Sequence, residues 1–152
     1  MRRNCSLFSR NLGEFYTIVN NCLVKPTVLG HIQTDGSYRH MDKISRTALI
    51  LKFKGEQFQN VKTYFNLHNS EEVEWLSVLN GILYAKTHKV TALQLENDNL
   101  SVMNSIIHER SPKDKFRPYY STIQKNIYDF DWLDMRWIPR RYNRADDLFR
   151  LK

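Results

Sequence analysis

The chain has 152 residues, of which 41% are hydrophobic and 26% are charged, so it has the size and composition of one compact globular domain. It contains no apolar run near the roughly 20 residues that span a bilayer, and its two cysteines, Cys5 and Cys22, are too few and too far apart for a zinc site. The net charge of +7 at pH 7 predicts a polyanionic partner, although such a charge also serves solubility alone.

The first half of the chain predicts an extension followed by three strands. Residues 1–29 have no regular strand pattern, and we expect an N-terminal extension in which residues 12–23 form a short amphipathic helix that ends before Pro26. The following strands are rich in apolar and branched residues and are predicted at 31–38 (running into a turn at Gly36), 46–54 and 58–65. Because the connections are short, these strands should form an antiparallel meander.

The second half alternates helices with strands. Asn69 is predicted to cap a helix, with Glu72 completing a capping box. The apolar residues of that helix recur at helical spacing, at Trp75, Leu76, Val78, Leu79, Ile82 and Leu83. The later elements are predicted as a strand at 90–95, helices at 100–108 and 119–128, a strand at 133–138 that stops at Pro139, and a closing helix at 143–151.

This order, β-β-β-α-β-α-α-β-α, predicts one α/β domain over residues 30–152, with a mixed five-stranded sheet flanked by helices. The helix between the third and fourth strands allows the first and fourth strands to pair in parallel. No internal repeat or low-complexity tract interrupts the pattern.

Four acidic residues stand at points where different elements can present them to one place: Asp35, Glu74, Asp98 and Asp146. Carboxylate oxygens are the ligands that hard divalent cations such as Mg²⁺ prefer. Two unit charges ~4 Å apart repel by about 4 kcal/mol at an effective dielectric constant near 20, so converging carboxylates must be protonated or neutralised by cations. On a basic chain, such a site predicts the cleavage of phosphodiester bonds.

The acids and their neighbours resemble the type 1 ribonuclease H family, closest to its reverse-transcriptase-like and plant-type branch, over residues 31–152. Four motifs carry the resemblance. Asp35-Gly36-Ser37 follows the first strand, and Glu74-Trp75 begins a helix that continues to Gly81 and Ala85. Because Gly81 and Ala85 are small and lie on the same helical stripe as Glu74, this face of the helix could approach the sheet closely and place Glu74 against Asp35. Asn97-Asp98-Asn99 ends the fourth strand, and the closing signature contains Pro139-Arg140, Asn143 and Ala145-Asp146. Each motif is common alone, but four in order are fairly specific.

The resemblance implies a ribonuclease H-like fold and an endonuclease that hydrolyses the RNA strand of RNA–DNA hybrids, leaving 3′-hydroxyl and 5′-phosphate ends. It implies two Mg²⁺ ions, for which Mn²⁺ can substitute, bound by catalytic Asp35, Glu74, Asp98 and Asp146. Asp35 would bridge both ions, Asp146 would help to hold the ion on the water side, and Glu74 and Asp98 the ion on the leaving-group side. The predicted nucleic-acid contacts are Ser37, Asn143 and three arginines, Arg140, Arg141 and Arg144. The guanidinium groups of these arginines suit phosphate, and a solvated basic start of the closing helix explains them equally well.

Several features leave alternatives open. Asn97 and Asn99 stand where the family has small residues and serine, which keeps open a catalytically weak or inactive domain that binds nucleic acid or scaffolds a larger ribonucleoprotein or reverse-transcriptase complex. Glu74 also suits the first turn of a helix by charge alone, and Asp147 competes with Asp146. The absence of an Asp-x-Glu motif after Thr34 disfavours a 3′ exonuclease.

The sequence also predicts where the positive charge is concentrated along the chain and in which compartment the protein works. Eleven basic residues face six acidic ones between Arg110 and Lys152, so the excess charge is concentrated in the last third, as expected for a binding face. The cysteine content favours a reducing compartment and leaves a disulfide open. We expect an intracellular protein, cytoplasmic or nuclear. The arginines and serines before Glu14 resemble a mitochondrial transit peptide, against which an ordinary extension is favoured.

Overall fold

A computed structural model describes residues 9–11, 15–17, 28–67 and 69–150. Its seven strands are β1 (Ser9–Asn11), β2 (Phe15–Thr17), β3 (Gly30–Arg39), β4 (Ile44–Phe53), β5 (Glu56–Phe65), β6 (Ala92–Asn97) and β7 (Trp132–Trp137). Its α-helices are α1 (Ser70–Thr87), α2 (Leu100–Ile107) and α3 (Arg117–Ile127), and its 3₁₀ segments are Asp114–Phe116, Arg140–Tyr142 and Arg144–Arg150.

The main sheet has the strand order β5-β4-β3-β6-β7. β3, β4 and β5 form an antiparallel meander, whereas β6 runs parallel to both β3 and β7. The predicted mixed five-stranded sheet is therefore confirmed, together with the parallel pairing across the first helix. Among the described helices, none is long and apolar enough to cross a membrane.

The core lies between one face of the sheet and its helices. α1 packs on β3 and β4, α3 packs on α1, and α2 lies against β7. Because side chains alternate along a strand, Leu49 and Leu51 of β4 face this core, while Ala48 and Ile50 face the opposite side. There they form a second, smaller cluster with Ala145 and Leu148, which attaches the end of the chain to the sheet.

The N-cap of α1 is Asn69, as its sequence predicts. The Asn69 side chain accepts a hydrogen bond from the Glu72 backbone N–H at 2.9 Å, which satisfies one of the free donors of the first turn. The Glu72 carboxylate accepts a hydrogen bond from the Tyr119 hydroxyl at 2.7 Å, which ties α1 to α3. This end of α1 is the one that carries Glu74.

Three local predictions were wrong. Gly36 is not in a turn but inside β3, opposite Thr47 of β4. The closing segment is not an α-helix but the 3₁₀ segment Arg144–Arg150, preceded by Asn143 in an extended conformation. With three residues per turn, the 3₁₀ geometry places Ala145 and Leu148 on one side, where both pack against β4.

The third error concerns the extension. Within the predicted helix at 12–23, residues 15–17 are strand β2, paired antiparallel with β1. The rest of that predicted helix lies outside the described residues.

Candidate active site

Three of the predicted acids meet beside the sheet. One carboxylate oxygen from each of Asp35, Glu74 and Asp98 lies within 4.8 Å of the other two. The strand register explains why Asp35 and Asp98 lie close together, because Thr34 of β3 pairs with Asn97 of the parallel strand β6. The residues that follow this pair, Asp35 and Asp98, are therefore neighbours.

The close approach of α1 to β3 explains the position of Glu74. A Cβ atom at Gly36 would lie 2.9 Å from the Val73 carbonyl oxygen of α1, and a Cβ atom at Gly81 would lie 2.4 Å from Thr34 Cγ2. Both distances are too short for any real side chain, so glycine at these two positions lets the helix lie directly on the strand. The small residue expected at position 81 has this role.

The fourth acid, Asp146, reaches the cluster from the 3₁₀ segment. In addition to burial, its proximity raises the pKa of Asp35, and its negative charge also raises the pKa of Asp98. Asp146 forms ion pairs with two arginines, with Arg150 at 2.9 Å and with Arg140 at 3.8 Å. The neighbouring Asp147 is 57% exposed and pairs with Arg150 and Arg144. Of the two adjacent acids, Asp146 is the one that faces the cluster.

Burial and mutual repulsion strongly perturb these carboxyl groups. Burial, followed by repulsion from Asp98 and Asp146, raises the pKa of Asp35 from its ordinary value of 3.8 to about 8, against a hydrogen bond from the Gly36 backbone N–H. Burial, then repulsion from Asp35 and Asp98, raises the pKa of Glu74 from 4.5 to about 9. Burial also raises the pKa of Asp98, although a hydrogen bond from Asn143 opposes it. Without a cation, the cluster therefore retains protons at neutral pH.

The donor set fits a divalent cation. Oε1 of Glu74 is buried and has no hydrogen-bond partner, which is costly for a carboxylate oxygen unless something else binds there. The surrounding ligand atoms are carboxylate oxygens, which suit a hard ion such as Mg²⁺ or Mn²⁺. A bound cation would also offset the burial and the mutual repulsion that raise these pKa values.

A buried polar cluster that the sequence analysis did not predict holds the acids in place. Asn97 Nδ2 donates to the Thr34 carbonyl and hydroxyl oxygens at 3.0 and 2.9 Å and lies 3.4 Å from the Ser77 hydroxyl of α1. Asn143 Nδ2 donates to the same Thr34 carbonyl at 2.8 Å and to Asp98 Oδ2 at 3.3 Å. The signal in the sequence was an amide just before Asp98, at a fully buried strand position.

Of the predicted nucleic-acid contacts, the three arginines are exposed on the surface. Arg140 and Arg144 are 77% and 70% exposed, and the Arg141 guanidinium lies 4.9 Å from the Tyr142 ring centre. The positive charge of Arg140 acts on Glu74 and Asp98 as well as on Asp146, so this arginine stands at the mouth of the site.

The two remaining predicted contacts are less exposed. Ser37 is half-buried in β3, two residues from Asp35 and on the same face of the sheet. Asn143 is buried, and its amide is directed at Asp98 and not at solvent.

Comparisons with known proteins agree with the fold. A sequence-family model described as "Reverse transcriptase-like" matches residues 33–149. No curated protein matches the sequence. Among solved structures, ribonuclease H1 from the halophilic archaeon Halobacterium salinarum is 18% identical with a TM-score of 0.71, covering 79% of this chain and 93% of that one.

Two further structures are similar to a comparable degree. The N-terminal ribonuclease H domain of a Mycobacterium tuberculosis protein is 17% identical with a TM-score of 0.71, covering 80% of this chain and 91% of that one. LC11-RNase H1 was isolated from compost by a metagenomic approach and solved in complex with an RNA/DNA hybrid. It is 14% identical with a TM-score of 0.68, and the match covers 78% of this chain and 92% of that one. At these identities the likeness is one of fold.

Proposed function

The chain belongs to the reverse transcriptase-like family and has the ribonuclease H fold. We propose that it is a metal-dependent endonuclease that hydrolyses the RNA strand of RNA–DNA hybrids by a two-metal mechanism. The observation that carries the proposal is the meeting of Asp35, Glu74 and Asp98 within 4.8 Å, with Asp146 beside them. The expected products have 3′-hydroxyl and 5′-phosphate ends.

The four acids are proposed as the metal ligands and catalytic residues. Glu74 contributes a buried oxygen that no protein group satisfies, and Asp35 lies centrally because both Asp98 and Asp146 act on it. When bound, divalent ions (Mg²⁺, or Mn²⁺ in its place) supply the positive charge that activates a water and stabilises the leaving oxygen. The chain itself fixes the carboxylates on a rigid strand and helix, so that little reorganisation is needed.

The arginines beside the acids are proposed to hold the nucleic acid. Arg140, Arg141 and Arg144 lie on the segment that leads to Asp146, and Arg140 pairs with Asp146 at 3.8 Å. A planar guanidinium can donate two parallel hydrogen bonds to a phosphate. Ser37 is the proposed contact from β3. Asn143 already holds Asp98, so its contribution is to orient that carboxylate and to keep the arginine-bearing segment on β3.

A hybrid as substrate is supported by charge and by likeness. The net charge of +7, concentrated in the last third of the chain, favours a polyanion. The similar LC11-RNase H1 structure contains an RNA/DNA hybrid. Selection of a hybrid over other duplexes would depend on contacts to 2′-hydroxyl groups and on groove shape.

The experiment is cleavage of an end-labelled RNA–DNA hybrid by the purified protein in Mg²⁺, with duplex RNA, duplex DNA and single strands in parallel. We expect Asp35→Asn and Asp146→Asn to abolish cleavage, and EDTA to stop the parent protein. Asp147→Asn is the matched control, because it removes an exposed acid next to Asp146. It should retain most of the activity.

Two outcomes would overturn the proposal. Equal cleavage by Asp35→Asn and the parent would end the assignment of the site. Binding of the hybrid without cleavage by the parent would favour the other function, a nucleic-acid-binding or scaffolding component of a larger ribonucleoprotein or reverse-transcriptase complex.

A further inference from the structure

One glutamine connects the sheet to the segment that carries the last catalytic acid. Gln33 lies in β3, two residues before Asp35 and on the same face of the sheet. Its Nε2 donates to the Tyr142 carbonyl oxygen at 3.2 Å, and its Oε1 accepts a hydrogen bond from the Arg144 backbone N–H at 2.8 Å. The side chain therefore holds the backbone on both sides of Asn143.

Glu96 supports the orientation of the Gln33 amide that the two backbone contacts also require. The two residues are opposite each other in the parallel pair β3–β6, and Gln33 Nε2 donates to Glu96 Oε1 at 2.8 Å. Glu96 also accepts from His31 at 2.9 Å and from Gln94 at 3.0 Å. An ionised carboxylate only accepts hydrogen bonds, so Nε2 of Gln33 must face Glu96, and Oε1 is left to face the Arg144 N–H.

The backbone that Gln33 holds positions two groups at the active site. Asn143, between the two contacts, donates to Asp98 Oδ2 at 3.3 Å and to the Thr34 carbonyl at 2.8 Å. Asp146 follows three residues later and acts on Asp35. A shift of this backbone would move both the support of Asp98 and the fourth carboxylate.

A second, apolar contact attaches the same segment to the sheet without fixing its exact position. Ala145 and Leu148 pack against Ala48 and Ile50 of β4. Such apolar packing is non-directional. Besides Gln33, the segment has directional contacts from Asn143 to the Thr34 carbonyl at 2.8 Å and from Arg46 to the Phe149 carbonyl at 3.2 Å. The hydrogen bonds of Gln33 are directional, and their loss should change the placement of the segment more than its attachment.

We propose that Gln33, oriented by Glu96, is a positioning residue that fixes the Tyr142–Arg144 backbone and thereby places Asn143 and Asp146 against the carboxylates of Asp35 and Asp98. This inference deepens the proposed function and rests on it for the catalytic consequence. The structural part, that Gln33 holds the Arg144 backbone, stands apart from any activity.

The first measurement needs neither metal nor substrate. Amide hydrogen exchange of metal-free protein, followed by NMR, is compared between the parent, Gln33→Leu and Gln59→Leu. Gln59 is the matched control, because it is an exposed glutamine in the same cross-strand row, reached from Gln33 through Ile50. We expect Gln33→Leu to accelerate exchange of the Arg144 amide by at least about 10-fold, whereas Gln59→Leu leaves it unchanged.

The second measurement tests the geometry of the acids through Mn²⁺ binding and cleavage. Residues that orient metal-binding side chains typically change affinity or activity by 10–100-fold, so Gln33→Leu should weaken Mn²⁺ binding and lower kcat for the hybrid by about 10-fold. A purely structural role would lower the melting temperature and leave kcat at 25 °C unchanged.

Substitution of Glu96 tests whether the two residues act as a unit. Glu96→Gln keeps a carbonyl oxygen that can accept from Gln33 and should retain most of the activity. Glu96→Leu removes one partner of the Gln33 amide but leaves its contacts with Tyr142 and Arg144, so it should have a smaller effect than Gln33→Leu. The double variant Gln33→Leu/Glu96→Leu should be no worse than Gln33→Leu.

Clear results would overturn the inference. It is wrong if Arg144 exchange is the same in Gln33→Leu and in the parent, or if exchange rises while Mn²⁺ affinity and kcat stay at parental values. A parent protein that binds Mn²⁺ but leaves the hybrid intact would end the proposed function, and the exchange and Mn²⁺ measurements would still decide whether Gln33 positions the site.

Discussion

One added methyl group on α1 at position 81 should push the helix away from β3. In Gly81→Ala, the new Cβ would lie 2.4 Å from Thr34 Cγ2, whereas carbon atoms in contact normally lie about 3.5–4.0 Å apart. Thr34 cannot simply rotate away, because it is fully buried and its hydroxyl accepts a hydrogen bond from Asn97 at 2.9 Å. More than 1 Å of overlap must therefore be absorbed by movement of the helix.

The expected cost combines two opposing terms. Overpacking of a core costs about 1–3 kcal/mol, and we take about 2. Replacing glycine by alanine inside a helix gains about 1 kcal/mol, so Gly81→Ala should lower the free energy of unfolding by about 1 kcal/mol. Thr34→Ser removes the opposing methyl but keeps the hydroxyl for Asn97, at a cost of about 1 kcal/mol for the lost methyl group.

The double variant tests directly whether the two methyl groups compete for one space. Independent effects would add to a loss of about 2 kcal/mol. If the methyl groups do compete, Gly81→Ala/Thr34→Ser has no clash and should have nearly the parental stability or slightly more. The coupling free energy should then be about 2 kcal/mol, well above the scatter of about 0.5 kcal/mol seen for independent sites.

Urea denaturation followed by circular dichroism measures these free energies of unfolding, and hybrid cleavage measures the functional effect. Because α1 carries Glu74 and β3 carries Asp35, the single variant Gly81→Ala should also cleave more slowly, and the double variant should recover. The reasoning is refuted if Gly81→Ala is neutral or stabilising, or if the two substitutions are additive.

Three other results should follow from the site. Metal-free protein should lose stability as the pH rises from 5 to 9. Asp35 and Glu74, with folded pKa values of about 8 and about 9 and ordinary values of 3.8 and 4.5, hold protons more tightly when folded, so the stability present below the ordinary values disappears as the pH passes the folded values. Melting temperatures with and without Mg²⁺ check this, and a profile without metal that rises with pH would contradict it. Asn97→Ala should cost about 1–3 kcal/mol in urea denaturation, since it leaves buried partners in β3 and α1 unsatisfied. Arg141→Ala and Arg144→Ala should each weaken hybrid binding and reduce the slope of log affinity against log salt concentration by about 1, which a titration at several salt concentrations tests.

The order of the elements and the meeting of the acids could be predicted because both follow from rules of chain connection. A helical crossover between the antiparallel meander and β6 allows β6 to run parallel to β3, and neighbouring parallel strands end at the same edge, which brings Asp35 and Asp98 together. The small residues Gly81 and Ala85 of α1 predicted its close approach to the sheet, which the structure shows at Gly81. These features depend on spacing and residue size, which are visible in a sequence.

The local errors and omissions depend on tertiary partners. Asp35-Gly36-Ser37 has the composition of a turn, but Gly36 serves a helix from elsewhere in the chain. The hydrogen bonds of Asn97, Gln33 and Asn143 join residues 20 to 111 positions apart, and they form only in the register that β3 and β6 adopt. Amide side chains carry no pattern that identifies such partners in advance.

The two glycines under α1 differ in what could replace them. At position 81 the obstacle is the methyl group of a side chain, so a smaller neighbour can make room. At position 36 the obstacle is the backbone of Val73 and Glu74, which every residue type possesses, so no second-site change can compensate. In a saturation screen with second-site suppressors, substitutions at position 81 should be rescued by a smaller residue at position 34, whereas position 36 should accept only glycine.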